Sequence, residues 1–401
     1  MISLDSAAAD PVLPAVLEAM LPFFREAGNP ASLHSAGARA REALERAREG
    51  VADFLGAAPS EIFFTSGGTE AINLAIKGFY EANRKRGSRI LCTPVESAAV
   101  LRSLDWLRGE GAEIVQLPID REGRVDPSVI AAALSPETIL VCVQWANGET
   151  GAMQPIQQIG QICEAAGTAL FCDATAAAGW TPVDFRSVPV ALSAVHFRGC
   201  GGPVGVGALY KREGVALQAQ IHGGPQEKGV RAGTENLPGI VGAGKAAELA
   251  TGTVAASAFR LRSLSDKLWL AIRAEVPSLH WHGPPPGEGR LPHHLAWSPE
   301  GVEGEAQVLA CDLQGAAIAA GPSCISKSLR GSPVLRAIGV PARLILSAVQ
   351  ITLHRGTTEA DLDSFCRIYS KVVERLRSLS PAWQIAKERL ASPPSADEGG
   401  R

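Results

Sequence analysis

Short uncharged runs rich in β-branched and aromatic residues recur along this chain, at 62–65, 90–92, 114–117, 139–143, 170–172 and 190–195. Longer segments with helical periodicity lie between them, such as 36–55, where charged residues alternate with Ala, Leu and Val, and 156–166. Continuous apolar runs of this length mark strands buried on both faces, and strands joined by helical crossovers build βαβ units around a largely parallel sheet. The pattern therefore predicts an α/β fold whose ligands sit at the carboxyl ends of the strands.

A length of 401 residues exceeds what one compact core usually holds, so about two domains are expected. From about 255 the pattern changes to a long helix through 276, a Pro/Gly-rich stretch at 282–292 and shorter mixed elements. A further helix is predicted to open at Thr358, with Asp361 placed as in a capping box, and to run toward Leu379. This reads as a large domain over 14–252, a smaller α+β domain from 1–13 and 253–391, and a polar, disordered tail over 392–401.

A net charge of −3 on 38 basic and 41 acidic residues argues against a nucleic-acid or membrane-surface partner. The eight cysteines form no Cys-x-x-Cys pair and accompany no histidines at zinc spacing, so no metal site is expected. Neither a signal-peptide pattern nor a run long enough to span a membrane is present, and the expected setting is cytoplasmic.

Four segments carry chemistry. Ser66-Gly67-Gly68-Thr69-Glu70 follows a strand and opens a helix, where free backbone N–H groups suit a phosphate; a plain tight turn is the alternative. Asp173 stands at a strand end, where a carboxylate can hold a pyridinium N–H or cap the following turn. Asn147 and Glu149 lie in Asn-Gly-Glu-Thr-Gly, with Asn147 able to bond a ring hydroxyl or to form an ordinary Asn-Gly turn. Cys324 sits in the small, polar stretch Gly-Pro-Ser-Cys-Ile-Ser-Lys, where exposure beside Lys327 favours a thiolate.

Together with Gly28-Asn29-Pro30, Asp173-Ala-Thr175, Gly202-Pro203, His222-Gly-Gly224, Arg231-Ala-Gly-Thr234 and Leu353-His-Arg355-Gly-Thr-Thr358, these motifs resemble the cysteine desulfurases, in family order over roughly 3–385. The resemblance implies a fold-type I pyridoxal phosphate fold: a mainly parallel seven-stranded sheet with helices on both faces, plus a smaller α+β domain. It implies a homodimer with composite sites, conversion of L-cysteine to L-alanine, and transfer of sulfur through a loop cysteine to an acceptor or iron–sulfur assembly protein. Carried over, Gly68, Thr69 and the other subunit's copy of Thr234 would hold the phosphate. Asp173 would hold the ring nitrogen and Asn147 would lie near the ring hydroxyl. Asn29 and Arg355 would bind substrate, and Cys324 would accept sulfur.

One departure cuts across this. The family's Schiff-base lysine aligns with Gly199, or with Phe197 if two residues are inserted after His196; in either register no lysine is available, since none occurs between Lys85 and Lys211. The family's ring-stacking histidine falls on Ser97, a glutamine on Ala176, and the serine and histidine before the lysine on His196 and Arg198. Glycine neither tethers a cofactor nor moves a proton, and losing an acid–base group alone costs about two to four decades of rate. Arg198 adds positive charge at the phosphate end, and His196 is a substitute acid–base candidate beside its structural reading as a strand-end residue. Cys200 is a second thiol that either faces the pocket or fills the core. The reading is a desulfurase-like scaffold that has lost covalent pyridoxal phosphate chemistry, its cofactor non-covalent or absent. The alternative is an altered enzyme that works with non-covalent pyridoxal phosphate and a persulfide on Cys324.

Overall fold

A computed structural model of the protein describes residues 1–391 apart from Ala9, Ala27, Glu288 and 322–330. The expected runs form strands of one seven-stranded sheet, in the order Ile62–Thr65, Gly207–Lys211, Leu192–His196, Ala169–Asp173, Thr138–Cys142, Arg89–Cys92, Glu113–Gln116. Gly207–Lys211 runs antiparallel to both neighbours, and the other paired strands are parallel. The fold is thus the mainly parallel α/β arrangement anticipated.

Why these strands read as continuous apolar runs is visible in the packing. Phe64, Leu91, Val141 and Leu170 point into one core and their neighbours Phe63, Ile90, Leu140 and Phe171 into another, on the opposite face. Each such side chain removed from water contributes about 1.5–3 kcal/mol. Helices cover both faces; Ser35–Leu55 is one of them and ends at Gly56, whose φ of 61° is the left-handed conformation that terminates helices.

A second core lies outside this sheet. The antiparallel strands Leu279–Trp281, His294–Pro299 and Val349–Thr352 pack with the helices Val254–Glu275 and Glu359–Ser378 around Trp297, Phe365 and Tyr369. The short strand Ile2–Ser3 pairs with Ala316–Ala317 beside it. The capping box is present, with Thr358 Oγ1 accepting from Asp361 N at 3.2 Å and Asp361 Oδ2 accepting from Thr358 N at 2.9 Å. No described helix is long and apolar enough to cross a membrane. Cys324 and the 392–401 tail lie outside the described residues.

Candidate active site

Where the carboxyl ends of the parallel strands meet the second core, a cavity of about 910 Å³ opens. Among the expected residues, Asn147, Asp173, His196, Arg198 and Gly199 line it.

One end is built of hydrogen-bond donors. Gly67 adopts φ 155°, ψ −179°, a conformation for glycine alone, and turns the chain into the sixteen-residue helix Gly68–Asn83. A Cβ on Gly68 would lie 2.6 Å from Thr175 Cγ2 and 3.8 Å from His196 Cδ2, so the helix start abuts both side chains. Arg198 donates through Nη1 to the Ala8 carbonyl at 2.6 Å, while its Nη2 stands 3.1 Å from His196 Nε2. Guanidinium has no acceptor, so His196 Nε2 accepts and the ring proton sits on Nδ1, which is buried without a partner. Burial, then Arg198, pushes the imidazole down to about 3. His196 is therefore a neutral N–H donor at physiological pH, a poor acceptor of protons but a good partner for an anion.

The cavity floor is carboxylic. Asp173 accepts from Thr175 N at 3.0 Å and Thr175 Oγ1 at 2.6 Å, and burial raises its pKa. Glu96 accepts through Oε1 from Thr93 Oγ1 at 2.6 Å and from Gln144 N at 3.1 Å, while its buried Oε2 has no partner. Burial pushes Glu96 up to about 8, so at neutral pH it is protonated. Glu149, raised by burial to about 7, accepts from the Ser332 hydroxyl. Asn147 spends its amide on the backbone: Nδ2 donates to Val95 O at 2.9 Å, and Oδ1 accepts from Glu149 N and Thr150 N, each at 2.8 Å. The turn reading of that motif is the one its polar atoms serve.

The other end is closed by packing. Gly199 lies in a tight turn over Arg198–Cys200, and a Cβ there would run into the Ala178 carbonyl oxygen and stand 2.8 Å from Trp180 Nε1. Trp180 stacks on His293 with ring centroids 4.0 Å apart. Arg355, the expected carboxylate clamp, donates through Nη2 to Gly199 O at 2.6 Å and Gly179 O at 2.7 Å. No lysine lines the cavity among the described residues. Cys200 turns away, packing with Val16, Met20 and Ala246, and burial pushes its thiol to about 12.

Thr69, Thr234 and Asn29 are exposed and line no part of this chain's cavity; the Asn29 side chain instead accepts from Ala31 N at 2.9 Å. The segment carrying Thr234 is anchored at Glu227, whose carboxylate meets Arg48 Nη1 at 2.8 Å and Nη2 at 2.9 Å and accepts from Phe64 N at 2.9 Å. Arg48, Glu96, Trp180 and His293 were not singled out in the sequence; only Trp180, a lone large ring among Ala and Gly seven residues beyond Asp173, offers a signal.

Pyridoxal phosphate fits these residues in part. The glycine turn, the helix N-terminus and the orphaned His196 Nδ1–H suit its phosphate, and buried Asp173 suits its ring nitrogen. Its carbonyl end meets no described amine.

The class-V aminotransferase family pattern matches residues 2–365. The cysteine desulfurase IscS of Clostridium botulinum is 40% identical over 384 residues, 96% of this chain and 97% of that protein. That of Methanosarcina thermophila is 40% identical over 381 residues, covering 95% and 94%. The solved structure of a NifS-like protein superposes with a TM-score of 0.87 at 33% identity, covering 94% of this chain and all of that one.

Proposed function

Because this chain belongs to the class-V aminotransferase family, within its cysteine desulfurases, we propose that it descends from a desulfurase and has lost the covalent pyridoxal phosphate chemistry. It keeps the scaffold and the anion-binding half of the site. The observation that carries this reading is the packing at Gly199: a side chain there collides with the Ala178 carbonyl and the Trp180 indole, and no described lysine reaches the cavity from elsewhere. Bound pyridoxal phosphate would supply an electron sink; His196, Arg198, the Gly67-Gly68 turn and Asp173 would hold it by hydrogen bonds and charge alone. Exposed Thr234 suits a homodimer in which it completes the other subunit's phosphate site. Cys324 keeps the part of sulfur carrier toward an acceptor protein that the family resemblance gives it.

The test is direct. Protein saturated with pyridoxal phosphate, reduced with borohydride and analysed by peptide mass spectrometry carries no lysine adduct at unit stoichiometry, and L-cysteine yields no alanine above the free-cofactor rate. A stoichiometric adduct at one lysine overturns the proposal. Alanine formation abolished by Cys324→Ala, without an adduct, establishes the altered enzyme instead.

A further inference from the structure

Far along the chain from the cavity's strands, the helices Gly304–Asp312 and Glu359–Ser378 pack together and leave a groove of about 760 Å³. Its floor is apolar and open to solvent: Leu309, Leu313 and Leu379 are 66%, 84% and 73% exposed. Its rim is basic, with Arg367, Lys371 and Arg375 exposed at four-residue spacing and so forming one stripe. No carboxylate is among the described residues that line the groove, and none of these three cations pairs with a described acid. Like charges four apart on a helix repel one another. Apolar positions this exposed, bordered along one helix by one sign of charge, mark a recognition surface.

We propose that this groove docks an amphipathic helix of a partner protein, one that presents leucine-like side chains flanked by Asp and Glu. The charge pattern selects this occupant. A second copy docking about a two-fold axis would set the three cations against themselves. The chain's own 392–401, Ser-Pro-Pro-Ser-Ala-Asp-Glu-Gly-Gly-Arg, has no large apolar side chain to fill the floor. A helix laid in a groove matches both floor and rim, its apolar positions recurring at i, i+4 and i+7.

The full-length protein is titrated with a fluorescein-labelled helical peptide bearing Leu at those positions and Glu on both flanks. Controls are the same peptide with Lys for Glu and a scramble of the acidic sequence. The acidic peptide binds, the other two bind at least tenfold more weakly, and affinity falls as salt rises. Leu309→Glu with Leu313→Glu weakens binding about thirty-fold, the size of a hot-spot loss. Arg367→Glu with Arg375→Glu transfers the preference to the Lys peptide; all four positions are exposed, and circular dichroism checks the fold. Equal binding of the scramble, or a charge reversal that leaves the preference unchanged, overturns the proposal. So does a leucine double variant that changes the sedimentation coefficient, which would make the groove an interface between copies. Flotation of the protein with phosphatidylserine vesicles, lost in the same variant, would assign it to a membrane and equally overturns the proposal.

Discussion

The two ends of the cavity lie on the same sheet edge but are finished differently. At the glycine-turn end the buried His196 Nδ1–H has no partner, and the start of the helix Gly68–Asn83 abuts the Cδ2 edge of the same ring. At the Gly199 end the backbone carbonyls are taken and the space is filled: Arg355 Nη2 holds Gly179 O and Gly199 O, and Trp180 fills the space a side chain at 199 would need, while Arg355 Nε and His293 Nδ1 stay buried without a partner. Buried unsatisfied polar groups are expensive, so where open cavity lies beside them they point to a ligand. What sets the Gly199 end apart is filled space: a side chain there meets the Ala178 carbonyl and the Trp180 indole. On the function proposed above, the difference separates an anion-recognising end from the end where the covalent tether would stand.

The largest test strikes the support of the donor end. Glu227 is buried between Arg48 and the Phe64 amide, fixing the strand that leads into the Gly67 turn together with the segment that bears Thr234. Removing one partner of a buried pair strands the other charge, so Glu227→Ala is expected to cost about 3–5 kcal/mol in urea unfolding. A loss below 1 kcal/mol would show that the turn is held by other contacts.

Next comes the closed end. Gly199→Lys should destabilise by about 3 kcal/mol through overpacking against Trp180 and Ala178, without restoring alanine formation. In a double-mutant cycle with Trp180→Ala, a favourable coupling of about 1 kcal/mol or more is expected, since each substitution relieves the other. Native-like stability of Gly199→Lys, or zero coupling, would break the comparison by showing that this end still has room.

Much of the architecture was legible because burial on both faces of a sheet writes itself into sequence as uninterrupted apolar runs. Six of the seven strands could be read this way. The seventh, Gly207–Lys211, follows Gly201-Gly202 and Gly205 and begins on a glycine, so the glycines read as turn and mask it. At the site, Asp173 and the Gly67-Gly68 turn were legible because strand-end carboxylates and glycine turns carry local signatures. Asn147 was legible only as two alternatives: its bonds from Glu149 N and Thr150 N are local, but its Nδ2 is taken by Val95 O, 52 residues away in sequence. The absence of lysine was plain in the sequence; its structural consequence was not. That Trp180 closes over Gly199 is a contact across two turns, and no spacing rule encodes it.

Titration offers a third test, centred on the carboxylic floor that joins the two ends. Glu96 has a native pKa near 8, above its ordinary 4.5, so between those values the folded protein binds a proton that the unfolded chain has released. Stability therefore falls as pH rises through this window. Below about 6.5 the buried His196 and His294, both pushed to about 3, act in the opposite sense. Glu149, raised to about 7, adds to the fall below that pH, so the interval belonging to Glu96 alone is 7 to 8, where it contributes a loss of at most about 1.4 kcal/mol. Glu96→Gln should flatten the unfolding free energy over that interval. A variant that keeps the wild-type slope would mean that Glu96 is ionised in the native cavity.

The smallest effect discriminates the two ends most sharply. Inorganic phosphate at ten times its Kd should stabilise the protein by about 1.4 kcal/mol, seen as a rise in Tm that grows with the logarithm of concentration. The contribution belongs to the Gly67-Gly68 turn, so Gly67→Ala, which cannot adopt φ 155° with ψ −179°, should abolish the phosphate-dependent shift. Trp180→Phe keeps a ring against His293 at the closed end and should leave that shift intact, whatever it does to Tm in the absence of phosphate. Both variants destabilise the protein, so the informative quantity is the increment on adding phosphate rather than the starting Tm. If Trp180→Phe loses the increment and Gly67→Ala keeps it, the anion site lies at the wrong end and the division of the cavity is reversed.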